Sequence, residues 1–129
     1  GGLQSSKAGD IVDARIDQAM THCSGGPMFF KYLEALNPKE LKALDKLIVI
    51  ICSTVQPIAG RAPGQDTLRR KVRKYGIEKN FYDSRYGVMH NVMMWKGHVR
   101  PGELFVANDS HTPTLESFTS GTENPQGTY

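Results

Sequence analysis

The segment from Leu41 to Val55 constrains the fold most, because it is apolar around nearly its whole circumference when drawn as a helix. The residues around its start are of the kinds that commonly begin a helix. Asn37 can cap the first turn, Pro38 suits the first helical position, and Glu40 can reach back to the cap. Since a helix that is apolar all round belongs inside a domain, the sequence predicts a central helix from Pro38 to Val55.

Three further segments favour helices packed around this one. Their apolar residues recur at steps of three and four, which is the spacing of one helix face. These segments are residues 11–23, 28–36 and 66–75. Asp66 or Thr67 can cap the last of them, and Gly76 occupies the position of a left-handed helix stop. Prolines and glycines between residues 56 and 65 predict a loop before it.

The character of the chain changes after residue 80. Val88 to Trp95 and Glu103 to Ala107 are rich in β-forming residues, and Pro101-Gly102 supplies turn chemistry between them. This pattern predicts a β-hairpin with a long loop, although tertiary packing can make the Met-rich first segment helical instead. Asp109 to Tyr129 is mostly polar, so it predicts an extended tail.

These elements define the expected fold class and domains. The fold class is α+β, mainly helical in the N-terminal two thirds, with a small C-terminal β-hairpin and an extended polar tail. A chain of 129 residues is long enough for one hydrophobic core. We expect an N-terminal arm over residues 1–9, a single globular domain over 10–108, and the tail over 109–129.

Basic residues are concentrated in one stretch, Arg69 to Lys79, which holds six of the sixteen Lys and Arg and one of the thirteen Asp and Glu. In a helix, Leu68, Val72 and Tyr75 would dock while the cations face solvent. Such a surface favours phosphates, and nearby aromatic rings can stack on unpaired bases. The candidate nucleic-acid-binding residues are Arg69, Arg70, Lys71, Arg73, Lys74, Lys79, Tyr82, Arg85 and Tyr86. A solvated helix face with basic residues at its C-terminal end explains part of the pattern without a ligand.

The charge pattern therefore predicts a non-enzymatic structural protein that binds nucleic acid, RNA rather than DNA, and self-assembles in the manner of a nucleocapsid or coat protein. Its partners would be nucleic acid and further copies of itself, which assemble through the C-terminal tail. We expect no cofactor, no metal, no catalytic residue and no membrane contact. One alternative is an interaction subunit of a larger complex, docking through residues 28–36 or the tail.

A second alternative is a small metal-assisted hydrolase that uses His90, His98, Asp109 and His111, although their spacing matches no known metal motif. His22 and Cys23 are neighbours in a predicted helix, where their side chains point about 100° apart. Cys23 is therefore expected to be a structural thiol. Two scattered cysteines make no disulfide framework, which favours a reducing, cytoplasmic setting.

Overall fold

The computed structural model describes residues 7–37, 43–52 and 62–118. In these residues the central element is a four-stranded sheet in which all neighbouring strands are parallel, in the order β3-β2-β1-β4. The strands are β1 (Gln18–His22), β2 (Leu47–Ile50), β3 (Phe81–Tyr82) and β4 (Phe105–Ala107). The helices are α1 (Gly26–Ala35), α2 (Ala62–Tyr75) and α3 (Met89–Trp95). Short 3-10 turns are formed by Leu44–Lys46, Glu78–Asn80 and Thr112–Phe118.

Strand β1 lies inside the sheet, with β2 on one side and β4 on the other. Met20 is paired with Ile48 of β2 and with Ala107 of β4, which fixes the register across the three strands. The chain passes outward from β1 to β2 and β3, then returns to the opposite side of β1. A reversal of this kind creates a crevice between two strand ends, here β1 and β4.

The sheet is covered on both faces. Leu47, Val49 and Ile51 pack with buried residues of α1 and α2, among them Phe30 and Leu68. The alternate residues Ile48 and Ile50 pack in a second cluster with Met89, Val92 and Met93 of α3. A parallel strand that is buried on both faces is apolar at consecutive positions.

The prediction of a mainly helical α+β fold is wrong, because the described residues form a parallel α/β arrangement. Residues 47–50, expected in the middle of the central helix, are strand β2. A short, fully apolar run fits a strand buried on both faces as well as a buried helix, and β-branched Ile and Val favour the strand. The expected helix start at Pro38 and Glu40, and the end at Val55, lie outside the described residues.

Two other predicted elements also differ from the structure. Residues 11–16 are exposed and not helical, and the helix expected over 11–23 is replaced by strand β1. The first strand of the expected hairpin is helix α3, whose buried Met89, Val92 and Met93 follow helical spacing. Strand β4 does form in the expected region, but it pairs in parallel with β1.

The helices predicted over 28–36 and 66–75 are confirmed as α1 and α2. Helix α2 ends as expected, because Gly76 has φ +67° and the Ile77 N–H donates to the Val72 carbonyl at 3.0 Å. It begins earlier than expected, at Ala62, because Pro63 is tolerated in the first turn of a helix.

The part of the C-terminal segment that is described, Thr112–Phe118, forms a 3-10 turn whose Leu115 is buried in the cluster with α3. The predicted division into arm, domain and tail stays a prediction, since residues 1–6 and 119–129 lie outside the description. Within the described ranges, no helix combines the length and the apolar character needed to cross a membrane.

Candidate functional site

The carboxyl ends of β1, β2 and β4 bring polar and thiol side chains to one edge of the sheet. His22 is the last residue of β1, Cys52 follows the end of β2, and Asp109 follows the end of β4. In open parallel sheets, ligands bind outside the carboxyl ends of the strands, at the point where the strand order reverses. These residues lie at that point.

Asp109 is the link between two imidazoles. Its Oδ2 lies 3.3 Å from His22 Nε2, and its Oδ1 lies 3.4 Å from His111 Nδ1. The His111 backbone N–H donates to Oδ1 at 2.8 Å, a local turn that holds the carboxylate in place. The Asp109 and His22 side chains are 11% and 8% exposed, whereas His111 is 68% exposed. The carboxylate is therefore held at the base of a site whose outer imidazole faces solvent.

Helix α3 contributes a third imidazole, His90, whose ring centroid lies 5.5 Å from that of His111. Burial lowers the pKa of His90, Asp109 opposes this effect, and the electrostatic effect of the neighbouring imidazoles His111 and His22 acts in the same direction as burial. A lowered pKa keeps this ring neutral at neutral pH, which is the form that accepts a proton.

Two free thiols lie on the other side of His22. The ligand atoms of His22, Cys23 and Cys52 are all within 4.8 Å of one another, and Cys52 Sγ is 4.0 Å from His22 Nδ1. The hydrogen bond from Cys52 is the main cause that lowers the pKa of Cys23, and a hydrogen bond from His22 contributes in the same direction. The same contact with Cys23, together with burial, raises the pKa of Cys52. Of the two thiols, Cys23 is therefore the one that ionises more readily.

The backbone after β1 passes close to the end of β4. An added Cβ at Gly25 would overlap the side chain of Asn108, the residue before Asp109. Gly26 is packed as closely against Leu68 of α2. Small residues at these positions let the turn that carries Cys23 approach Asp109.

The residues of the hydrolase alternative are only partly together. His90, Asp109 and His111 share the site, whereas His98 hydrogen-bonds the Tyr82 hydroxyl at 2.6 Å. His22, Cys23 and Cys52 were missed as a group because both segments had been assigned to helices. The apolar run from Leu47 to Cys52 would have been the signal, because its interpretation as a buried parallel strand places Cys52 at a strand end, whereas β1, with the sequence QAMTH, is not an apolar run.

Four of the basic residues proposed to contact phosphates form ion pairs. Arg69 makes two hydrogen bonds to Asp83, of 2.8 and 2.6 Å, and Arg70 pairs with Asp66 at 3.2 Å. Lys71 and Lys74 both pair with Glu34 of α1, at 2.5 and 2.6 Å. The basic face of α2 is thus partly neutralised by carboxylates of the same chain, two of which attach it to neighbouring elements.

The remaining residues of that set do not form one surface with an evident function. Arg73 and Lys79 are exposed, as is Arg85. The Tyr82 ring contacts Tyr86 edge to face at 5.1 Å and is half-buried, so it is already packed within the protein. The individual assignments to phosphate contacts stay a prediction that this geometry does not test.

No protein-family model matches this chain. It is 39% identical over 122 residues, 92% of its length, to 3-isopropylmalate dehydratase large subunit 1 of Methanopyrus kandleri. It is 40% identical over 124 residues, 93% of its length, to a probable 3-isopropylmalate dehydratase large subunit of Methanothermobacter thermautotrophicus. A probable methanogen homoaconitase large subunit of the latter organism is 30% identical over 122 residues, 91% of the chain. The matched segments make up 29%, 29% and 28% of these relatives, so the chain spans less than a third of their length.

These similarities overturn the functional prediction. A non-enzymatic nucleocapsid-like role, with nucleic acid and copies of the chain as partners, is wrong, because the relatives are large subunits of metabolic dehydratases. The localised charge misled because it was counted without its partners, since Glu34 lies on another helix and Asp83 lies just beyond the end of the basic stretch. Over nine tenths of its length, the chain is similar to one segment of 3-isopropylmalate dehydratase large subunits.

Proposed function

We propose that this chain supplies acid and base groups to a dehydratase acting on a small hydroxy dicarboxylic acid of the isopropylmalate type. The observation that carries the proposal is the meeting of His90, Asp109 and His111 at the carboxyl edge of the sheet. The identity of 39% to a 3-isopropylmalate dehydratase large subunit supports the reaction class.

Removal of water from such a substrate needs two proton transfers. A base takes the proton from the carbon beside a carboxylate, and an acid protonates the departing hydroxyl. His90 is suited to the first role, because burial lowers its pKa and leaves the ring neutral. The exposed His111 is suited to the second, with Asp109 orienting its ring through Nδ1 and leaving Nε2 to the substrate. Ring centroids 5.5 Å apart allow both imidazoles to reach adjacent carbons of one molecule.

Other parts of the enzyme complete the site in this proposal. Since the chain covers 29% of its relatives, groups that bind the substrate carboxylates would come from further segments. The relatives are named large subunits, so a smaller subunit is the proposed partner in place of nucleic acid. A cytoplasmic location is part of the same proposal and agrees with two free thiols.

Hydrogen exchange tests the proposal directly. The chain, alone and combined with the small subunit of an isopropylmalate dehydratase, is incubated with 3-isopropylmalate in D₂O. Proton NMR follows loss of the signal from the carbon beside the carboxylate and formation of the unsaturated acid. We expect His90→Gln and His111→Gln each to slow this reaction by about 10²–10⁴-fold.

His98→Gln is the matched control, because His98 is also half-buried with its pKa lowered by burial but hydrogen-bonds Tyr82 outside the site. It should leave the rate within a factor of two or so of the parent. Absence of exchange in every combination, or equal rates for all three variants, would reject the assignment.

A further inference from the structure

One group at the site has no part in the proton transfers: His22 with Cys23 and Cys52. The three side chains come from the ends of neighbouring strands, since His22 is the last residue of β1, Cys23 follows it, and Cys52 follows β2. Their ligand atoms all lie within 4.8 Å of one another. His22 is buried, and both thiols are half-buried and free.

We propose that His22, Cys23 and Cys52 form a binding site for a thiophilic divalent cation of the zinc class. A nitrogen and two sulfurs are a ligand set that zinc favours, and softer thiolate ligands disfavour magnesium and calcium. The site is distinct from the His90 and His111 pair, and its metal affinity can be measured without any enzymatic activity.

The distances fit such an ion with little movement. Zinc–sulfur bonds of about 2.3 Å and zinc–nitrogen bonds of about 2.0–2.1 Å place tetrahedral ligand atoms roughly 3.5–3.8 Å apart. Cys52 Sγ is 4.0 Å from His22 Nδ1, and every distance in the group is below 4.8 Å. Rotation of side chains through about 1 Å would close the set around one ion.

The surroundings of His22 select the nitrogen that binds. Nε2 faces Asp109 Oδ2 at 3.3 Å, so an Nε2–H can donate to the carboxylate. This tautomer leaves the Nδ1 lone pair to the Cys52 thiol at 4.0 Å and the Ser24 hydroxyl at 3.2 Å, and the hydroxyl must turn away when an ion binds. A carboxylate behind a metal-binding histidine is a recurring outer-shell arrangement that fixes the ring and increases its basicity.

Both thiols are free and half-buried, and each must lose its proton to bind an ion as a thiolate, so metal affinity rises with pH. Three protein ligands leave a fourth position for water or another small ligand.

Metal titration of the reduced, full chain tests the site. Zinc is titrated against a chromophoric chelator, and cobalt(II) provides a spectrum. We expect binding of one ion per chain and a thiolate-to-cobalt charge-transfer band together with intense visible bands of tetrahedral cobalt. Cys23→Ser and Cys52→Ser should each weaken zinc binding by more than about 100-fold, and Asp109→Asn by about 10–100-fold. His98→Gln, a histidine outside the group, should bind as the parent does.

A second measurement uses only the parent protein, so its result does not depend on whether the Cys→Ser variants fold. Zinc should protect both thiols of the parent from alkylation, and mass spectrometry reads out the two cysteine peptides separately. Unchanged alkylation of either thiol at saturating zinc, octahedral cobalt spectra without a charge-transfer band, or a Cys23–Cys52 disulfide that persists in reductant would each overturn the proposal.

Discussion

His22 Nε2 lies 3.3 Å from Asp109 Oδ2, and this contact joins the ends of β1 and β4. The register explains it. Met20 is paired with Ala107, and His22 and Asp109 each follow that pair by two residues. Since side chains two residues apart point to the same side of a sheet, a parallel register places the imidazole and the carboxylate together.

Replacing Asp109 by Asn tests whether its charge acts on the proton-transfer pair. Asparagine can still accept the His111 N–H through Oδ1, so the local turn should persist. Burial lowers the pKa of His90 and the Asp109 carboxylate raises it, so loss of the carboxylate lowers that pKa further. The acidic limb of the pH profile of kcat/KM should therefore move to lower pH. A purely structural role would reduce the rate and leave the limb in place.

Gly26 and Gly25 form a pair for testing the packing of the turn after β1. A Cβ at Gly26 would lie 2.5 Å from Leu68 Cδ2, and Leu68 is fully buried. Gly26→Ala should therefore lower the free energy of unfolding by about 1–3 kcal/mol, as overpacking does.

At Gly25 the overlapping group is the side chain of exposed Asn108, which can rotate away. Gly25→Ala should cost less than about 1 kcal/mol. Urea unfolding of both variants measures the difference, and an equal loss for the two would show that the Leu68 contact is not the cause.

Phe30 carries much of the packing between α1, α2 and the sheet. It is fully buried, and its ring stacks on Tyr75 of α2 at 5.7 Å. Phe30→Ala should cost about 3–5 kcal/mol in the free energy of unfolding, because burial is lost and a cavity remains. Tyr32→Ala on the same helix is the control: Tyr32 is 61% exposed, and we expect a change within about 0.5 kcal/mol.

Sequence patterns identified α1 and α2 but not the sheet, and the reason lies in what each pattern records. Helix α2 has one docking face and a glycine stop, both of which are local features. Strands β1 and β2 are defined by pairing with residues distant in the chain, such as Met20 with Ile48. Apolar spacing from Ile11 to Cys23 matched a helix, although tertiary pairing makes its second half a strand.

The residues of the candidate site divide in the same way, into those that a local pattern identifies and those that only tertiary pairing brings together. Asp109 and His111 are two residues apart and were grouped from sequence, and His90 was grouped with them. His22 and Cys52 become neighbours only through the β1–β2 pairing, so an incorrect helix assignment removed them from consideration. Likewise, Glu34 neutralises α2 from a different helix, which no count of charges along the chain shows.

Glu34 should make the protein sensitive to acid. Hydrogen bonds from Lys71, Lys74 and Tyr75 lower its pKa to about 2. A carboxyl group whose pKa is lower in the folded state stabilises the protein above its unfolded pKa of about 4.3. That contribution is lost as the pH falls from there towards 2. The Tm of the parent should therefore fall between pH 5 and about pH 2. Glu34→Gln should have a lower Tm than the parent at pH 5 and a smaller fall in Tm over the same pH range.

The exposed Glu78, on a 3-10 turn away from α1, provides the comparison. Glu78→Gln should leave the acid-dependent decline as it is in the parent. A decline of the same size in the Glu34 variant would mean that other carboxyl groups cause it.

The Arg69–Asp83 pair should contribute modestly, despite its two short hydrogen bonds. The side chains are 30% and 42% exposed, so water and salt screen the interaction. A double-mutant cycle of Arg69→Ala and Asp83→Ala should give a coupling free energy of about 0.2–1 kcal/mol that decreases in 1 M salt. The pair joins α2 to the segment after β3. A coupling free energy well above this range that does not decrease in salt would show that water reaches this junction less than the exposed fractions imply.

The pair Arg70 and Asp66 provides the control. Both residues lie within α2, and their side chains are 68% and 64% exposed. A cycle of Arg70→Ala and Asp66→Ala should give a smaller coupling free energy in the same experiment.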